Sequence, residues 1–142
     1  MLISTFILFL ILLKISCTDL LEKKIYNKDL ILLIVFVLVS LFVFPRYTIL
    51  QHFIGGILLF VPLFLLTLFF GGIGGGDLKL CALMGFLFGF DRGFIAFAIS
   101  MFLAGFFCLI QLALKQLQRD EVICLGPFLC IGLFVMWLVP FF

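Results

Sequence analysis

Apolar runs of helical length, separated by short polar segments, occupy almost the whole chain. The runs cover Leu2–Cys17, Leu30–Phe44, Ile49–Phe70, Leu78–Phe90, residues 94–114 and Val122–Phe142. An α-helix needs ~20 residues to cross the hydrocarbon core of a bilayer. The fourth run is short, and it crosses only if the neighbouring segment or a thinned bilayer helps. The pattern predicts an all-α membrane protein with six transmembrane helices in a single integral-membrane domain, residues 1–142.

The composition supports this pattern and excludes the main soluble classes. Of the 142 residues, 67% are hydrophobic, and only nine Lys or Arg and seven Asp or Glu carry formal charges. Soluble domains contain about 45–50% apolar residues. A soluble globular domain, a disordered chain and a basic nucleic-acid-binding protein are therefore excluded. Six crossings would also leave almost no residues for a folded aqueous domain.

The basic residues predict the orientation, because cytoplasmic loops carry an excess of Lys and Arg. With the N-terminus outside and six crossings, the inner side receives Lys14, Lys23, Lys24, Lys28, Lys79, Lys115 and Arg119. The outer side receives Arg46 and Arg92. If the fourth run did not cross, the count of basic residues on the inner and outer sides would change from seven and two to six and three. Both termini are thus predicted outside, with the polar segments 19–28 and 71–77 on the cytoplasmic side.

Two carboxylates stand at predicted cytoplasmic ends of apolar runs. Asp19 follows the first run, and Asp77 directly precedes the fourth. Two carboxyl groups in hydrogen-bonding reach tend to share one proton, so that one activates a water molecule while the other donates to a carbonyl oxygen. This chemistry hydrolyses a peptide bond, and because the pKa values belong to the pair, base and acid stay unassigned. The alternative is that each Asp only marks where a helix leaves the membrane.

A glycine-rich segment, Gly71-Gly72-Ile73-Gly74-Gly75-Gly76, leads into Asp77. Gly74 and Gly76 remove side chains where a substrate backbone or the first helix would approach closely. The alternative is ordinary packing of membrane helices through small residues. A phosphate-binding loop is disfavoured, since no Gly-Lys-Ser/Thr follows and no strand pattern precedes.

Three segments resemble motifs of one family, the type IV prepilin peptidases. Residues 19–27, Asp-Leu-Leu-Glu-Lys-Lys-Ile-Tyr-Asn, are similar to a first motif in which Asp is followed by basic residues and Ile-Pro-Asn. Residues 74–80, Gly-Gly-Gly-Asp-Leu-Lys-Leu, resemble the second motif, GxGDxKL, at every fixed position. Gly126-Pro127-Phe128-Leu129 is similar to the stretch that opens the last helix of that family. The resemblance covers nearly the whole chain as a six-helix peptidase core.

The resemblance implies a membrane aspartic endopeptidase that removes the short basic leader of type IV pilin-like precursors at the cytoplasmic face of the inner membrane. Asp19 and Asp77 would be its catalytic residues. The residues that would bind substrate or shape the site are Gly74, Gly76, Lys79, Lys23, Lys24 and Asn27. The implied partners are the precursor proteins and the lipid bilayer, with no nucleic acid. The implied chemistry needs no metal and no cofactor.

Two departures from the family pattern modify this expectation. Tyr26 stands where the family has proline, so the loop lacks a residue that would fix φ just before the second helix. Bifunctional members also carry a cytoplasmic segment with two Cys-x-x-Cys pairs, and they N-methylate the mature pilin with S-adenosylmethionine. No such pair is formed by the cysteines of this chain, which are Cys17, Cys81, Cys108, Cys124 and Cys130. We therefore expect peptidase activity without N-methylation.

Two other functions remain open at the level of the sequence. A peptidase of the same architecture would act on archaellin-type precursors or on other signal peptides, and nothing in the chain separates it from the first hypothesis. A non-enzymatic membrane transport subunit would use Asp19 and Asp77 as ion-path or packing residues. His52, the only histidine, is predicted on the outer face, away from the Asp pair. Trp137 is predicted to anchor the last helix at the outer interface.

Overall fold

The computed structural model describes residues 2–43, 48–70, 74–114 and 124–139, and these residues are almost entirely helical. The helices are α1 (Leu2–Glu22), α2 (Asn27–Val43), α3 (Ile49–Phe70), α4 (Gly75–Ala113) and α5 (Gly126–Leu138). By length and composition, α1, α3 and α4 are able to cross a membrane, and α5 is a shorter apolar helix. The all-helical membrane fold is confirmed, while six crossings with both termini outside stay a prediction. Arg46, Lys115 and Arg119, used in predicting the orientation, lie outside the described residues.

The fourth and fifth predicted runs both lie in α4, which extends over 39 residues with a break at Gly89. Gly89 has φ 71° and ψ −176°, a backbone conformation that favours glycine. A Cβ atom on Gly93 would lie 2.9 Å from the Cα atom of Gly85. In a straight helix these two residues would be about 12 Å apart. The chain therefore folds back at Gly89, and we name the two segments α4a (residues 75–88) and α4b (residues 90–113).

Close backbone contacts pack α3 against this turn. A Cβ atom on Gly55 would lie 2.5 Å from the carbonyl oxygen of Gly85 and 2.5 Å from the carbonyl carbon of Gly89. His52 of α3 is buried, and its Nδ1 atom lies 2.8 Å from the carbonyl oxygen of Phe86. These positions show that α3 runs antiparallel to α4a. Backbones this close require positions without side chains, which explains the glycines.

The two ends of the bundle are defined by contacts between distant parts of the chain. At one end, Trp137 of α5 donates a hydrogen bond of 3.1 Å from Nε1 to Thr5 Oγ1 of α1. Arg92, just after the turn in α4, donates to the carbonyl oxygen of Val139 at 3.3 Å. The start of α1 and the end of α5 thus lie at the same end of the bundle, with the α4 turn. The end of α1 and the starts of α2, α4a and α5 lie at the opposite end.

The prediction that Trp137 is an interfacial anchor is wrong. Its side chain is buried, with 8% relative exposure, and it lies edge-on to Phe36 with ring centroids 5.6 Å apart. An indole N–H buried in an apolar bundle needs a hydrogen-bond partner. The Thr5 hydroxyl provides that partner inside the bundle, so Trp137 has no need of the interface.

The core and the outer surface are both apolar. Large apolar side chains that are fully buried lie on α1, α2, α4a and α5, among them Leu8, Ile15, Leu33, Leu80, Met84, Phe88, Leu129 and Leu133. Exposed Leu, Ile, Val and Phe side chains occur on all five helices. A soluble protein does not expose so much contiguous apolar surface. The outer surface is therefore suited to lipid.

We predict that Gly85→Ala destabilises the protein by about 1–3 kcal/mol, because the added methyl group overpacks the contact with Gly55. The measurement is thermal unfolding of the purified protein in detergent. Gly105→Ala is the matched control, since its Cβ atom meets no heavy atom within 4 Å. Helix propensity alone makes that control neutral or slightly stabilising. Equal unfolding temperatures for the two variants would contradict the proposed packing of α3 on α4a.

Candidate functional site

Asp19 lies in the last turn of α1, with its side chain buried at 5% relative exposure. Its Oδ2 atom accepts a buried hydrogen bond of 3.1 Å from the backbone N–H of Gly126, the first residue of α5. Its main-chain carbonyl oxygen accepts a hydrogen bond of 3.3 Å from the Sγ atom of Cys124. The segment that leads into α5 therefore contacts both the side chain and the backbone of Asp19.

Asp77 lies in the first turn of α4a, where a helix N-terminus favours a negative charge. Its carboxylate accepts a hydrogen bond from the backbone of Gly74, the residue before the helix. Its Oδ1 atom is buried and has no hydrogen-bond partner among the described residues. A buried carboxylate oxygen is costly in free energy without a partner, so this atom calls for an explanation.

The structure brings these two carboxylates together at one end of the bundle. The charge of Asp19 acts electrostatically on Asp77, although 57 residues of chain separate them. Both carboxylates also act on the thiol of Cys124, which lies outside the helices. Partial burial is the largest cause that raises the pKa of Cys124 above its usual value. The negative charges of Asp19 and Asp77 raise this pKa further, whereas the positive charge of Lys23 lowers it. Cys124 is therefore a natural probe of the charge at this site.

The glycines before Asp77 differ in what surrounds them. A Cβ atom on Gly76 would lie 2.6 Å from the Cβ atom of Ile25, in the loop between α1 and α2. A Cβ atom on Gly74 would lie 3.1 Å from Oδ2 of Asp77, whereas one on Gly75 would meet no heavy atom within 4 Å. Gly76 therefore allows the first turn of α4a to touch the loop that follows Asp19.

Asn27 and Lys79, which the resemblance placed in the site, contact each other. Lys79 of α4a donates a hydrogen bond of 2.9 Å from Nζ to Oδ1 of Asn27, the first residue of α2. Lys23 and Lys24 are exposed in the loop, and Lys23 has a positive φ of 51° where the chain leaves α1. The two motifs are thus joined by a direct contact between their side chains.

Tyr26, which stands in place of the family's proline, also has a partner. Its hydroxyl group donates a hydrogen bond to Oε2 of Glu22, in the last turn of α1. This hydrogen bond and the negative charge of Glu22 raise the pKa of Tyr26 above its usual value. The contact bridges the two ends of the loop, so a side-chain interaction restrains the segment where the family uses a ring.

Sequence reasoning missed two contributors to this end of the bundle. Asp29, in the first turn of α2, is buried and forms an ion pair of 2.7 Å with Lys14 of α1. The second is Gly126, which the sequence shows only as part of a motif, without indicating a partner for it. The proximity of Gly126 to a Pro, which favours a helix start, was the available signal. Nothing in the sequence indicates which carboxylate the start of α5 contacts.

Among the described residues, no group of three or more His, Cys, Asp and Glu side chains could hold a metal ion. The described residues form an all-helical membrane protein with two interacting carboxylates at one end. Residues 6–109 match the sequence model of the type IV leader peptidase family. Since the match covers more than half of the chain and both Asp motifs, the protein belongs to that family of proteases, which act on precursor proteins. Comparisons with curated proteins and with solved structures gave no match.

We predict that the alkylation rate of Cys124 reports the charges around it. Asp77→Asn removes a negative charge, so the pKa of the thiol falls, more thiolate is present at pH 8, and alkylation becomes faster. Each half-unit fall in the pKa raises the thiolate fraction about threefold while the thiol is mostly protonated, and the rate rises by less than this because a less basic thiolate is a weaker nucleophile. Lys23→Met acts in the opposite direction and slows the reaction. The measurement is alkylation of the purified protein followed by peptide mass spectrometry.

Asp91→Asn is the control for this experiment, because Asp91 neighbours Arg92 at the opposite end of the bundle. It should leave the rate at Cys124 unchanged. The proposed proximity of Cys124 to the two carboxylates would be disproved if Asp77→Asn and Asp91→Asn gave the same rate.

Proposed function

We propose that the protein is a membrane aspartic endopeptidase that cleaves the short basic leader from type IV pilin-like precursors. Asp19 and Asp77 are its catalytic pair. The observation that carries this proposal is the meeting of two interacting carboxylates, Asp19 buried and Asp77 partly buried, brought by α1 and α4a to one end of the bundle. Membership of the leader peptidase family supports the same reaction and substrate class.

The proposed reaction uses the two carboxylates as one acid–base unit. One carboxylate, in its ionised form, takes a proton from a water molecule, whose oxygen then attacks the carbonyl carbon of the scissile peptide bond. The other carboxyl group donates its proton to the carbonyl oxygen, and the collapse of the tetrahedral intermediate passes a proton to the departing amine. Base and acid are not assigned individually, because the pair titrates as a unit.

The backbone contacts are suited to this chemistry. One oxygen of Asp19 accepts a backbone N–H from Gly126, and Asp77 accepts one from Gly74. These donors hold each carboxylate in one orientation. The buried Oδ1 atom of Asp77 then has the position expected of an oxygen that binds the attacking water or the substrate carbonyl.

Charge supports a cytoplasmic reaction at the inner membrane. Lys23, Lys24, Lys28 and Lys79 all lie at the end of the bundle that holds the two carboxylates. An excess of basic residues marks the cytoplasmic side of a membrane protein. Lys23 and Lys24, being exposed, are placed to contact anionic lipid headgroups beside the site. Lys79 and Asn27 shape the site by joining α4a to the start of α2.

The product is proposed to leave without N-methylation. The methylating members of the family carry Cys-x-x-Cys pairs, and the five cysteines of this chain form none. Cleavage in the presence of S-adenosylmethionine should therefore give a mature product with an unmethylated amino terminus.

We predict that Asp19→Asn and Asp77→Asn each abolish cleavage of a pilin-like precursor, because an amide can neither take up nor donate the required proton. The assay uses purified protein in lipid vesicles and follows the loss of the leader on a gel. Asp91→Asn, at the opposite end of the bundle, is expected to keep full activity. Thermal unfolding of each variant confirms that it is folded. Cleavage that persists in either of the first two folded variants would reject the proposed mechanism.

We predict that Gly76→Ala lowers the cleavage rate at least about tenfold, whereas Gly75→Ala stays within about twofold of the unmodified protein. The reason is the 2.6 Å approach that a Cβ atom of Gly76 would make to Ile25, while a Cβ atom of Gly75 has open space. The double variant Gly76→Ala, Ile25→Gly removes the clashing atom and should recover part of the rate. If Gly75→Ala were as damaging as Gly76→Ala, the contact with Ile25 would not be the cause.

A further inference from the structure

We propose that Gly126 is a positioning residue for the reaction: its backbone N–H holds the carboxylate of Asp19 in the orientation that faces Asp77. The inference rests on the proposed function, since it takes Asp19 as catalytic. Gly126 lies beyond residues 6–109, the part of the chain that matches the family. The evidence for its role is therefore structural.

The hydrogen bond is direct, buried and made by a donor that the helix does not use. The N–H of Gly126 lies 3.1 Å from Oδ2 of Asp19, and Gly126 begins α5. The first N–H groups of an α-helix have no partner within the helix. The N-terminal end of the helix also favours a negative charge. The start of α5 is thus matched to an ionised carboxylate, and the donor cannot be diverted to another helical carbonyl.

Space explains why this position is a glycine. A Cβ atom on Gly126 would lie 2.5 Å from Oδ2 and 2.9 Å from Cγ of Asp19. Both distances are too short for any side chain, so the carboxylate would have to leave its place. Gly89 has a positive φ among the described glycines, and Gly126 does not share that conformation. The requirement at Gly126 is therefore for an absent side chain, and backbone freedom plays no part.

The donor is held in place by contacts at both ends of α5. Next to it, the Cys124 thiol donates to the backbone carbonyl of Asp19. At the far end, Trp137 donates to Thr5. These two contacts fix the register of α5 against α1, so the Gly126 N–H stays aimed at the carboxylate.

Gly132 offers a matched comparison, because it is crowded by packing alone. Its close neighbours are Ala96 and Ser100 of α4b, and neither belongs to the Asp pair. If Gly126 were only a packing residue, changes at the two glycines would act in the same way. If it positions Asp19, a change at Gly126 lowers kcat in protein that is still folded.

The test replaces Gly126 with glycolic acid by nonsense suppression, which exchanges the backbone N–H for an oxygen atom and adds no side chain. A hydrogen bond to a charged group contributes enough for its loss to lower kcat by roughly 10- to 100-fold. KM and the thermal unfolding temperature should change little. The same exchange at Gly105 removes an N–H from a different helix, α4b, and should leave kcat unchanged. Gly132→Ala should lower the unfolding temperature and leave the kcat of the folded fraction as it was.

Two results would overturn the proposal. One is a normal kcat in the folded Gly126 ester. The other is a loss of kcat that only follows a loss of folded protein, as a packing role would give. Failure of the proposed function would show itself differently, as cleavage that survives Asp19→Asn. An inactive Asp19→Asn protein combined with a fully active Gly126 ester would reject the positioning role alone.

Discussion

The reversal of the chain at Gly89 is the constraint on which both ends of the bundle depend. A straight helix of 39 residues would be about 58 Å long, almost twice the ~30 Å thickness of a hydrocarbon core. Because α4 folds back, α4a begins at the end that holds Asp19 and α4b returns toward that end. Only then can α5 start beside Asp19. The reversal needs a positive φ at Gly89 and close approach at Gly85 and Gly93, three positions where a side chain would interfere.

The second constraint is that polar groups in an apolar bundle must find partners inside it. Three of the described contacts do so between helices: Lys14 with Asp29, Trp137 with Thr5, and the His52 ring with a backbone carbonyl. Each such contact also fixes the position of one helix against another. Near Asp19 and Asp77 several of these contacts come together, so the same rule that satisfies polar groups also orients the carboxylates.

The sequence predicted the helical membrane fold, the two carboxylates and the family, because hydropathy and short motifs are local properties of the chain. It placed the break between the fourth and fifth runs at Asp91-Arg92-Gly93, where charges appear. The chain turns at Gly89 instead, between Phe88 and Phe90, since a reversal needs a particular φ and hydropathy does not report dihedral angles. Trp137 was misplaced for a related reason: its partner, Thr5, lies 132 residues away. The meeting of Gly126 with Asp19 depends on the same kind of long-range register.

The loop between α1 and α2 shows how a missing family residue can be replaced by contacts. Proline fixes the φ angle of one residue and acts only on its own backbone. Here the Tyr26 hydroxyl is bonded to Glu22 of α1, and Ile25 touches Gly76 of α4a, so the loop is tied to both helices that carry the carboxylates. The Tyr26 hydroxyl is protonated at neutral pH, as in any tyrosine, and is therefore the donor in this contact. These contacts connect α1, which carries Asp19, to α4a, which carries Asp77, and a proline ring in the loop would not make that connection.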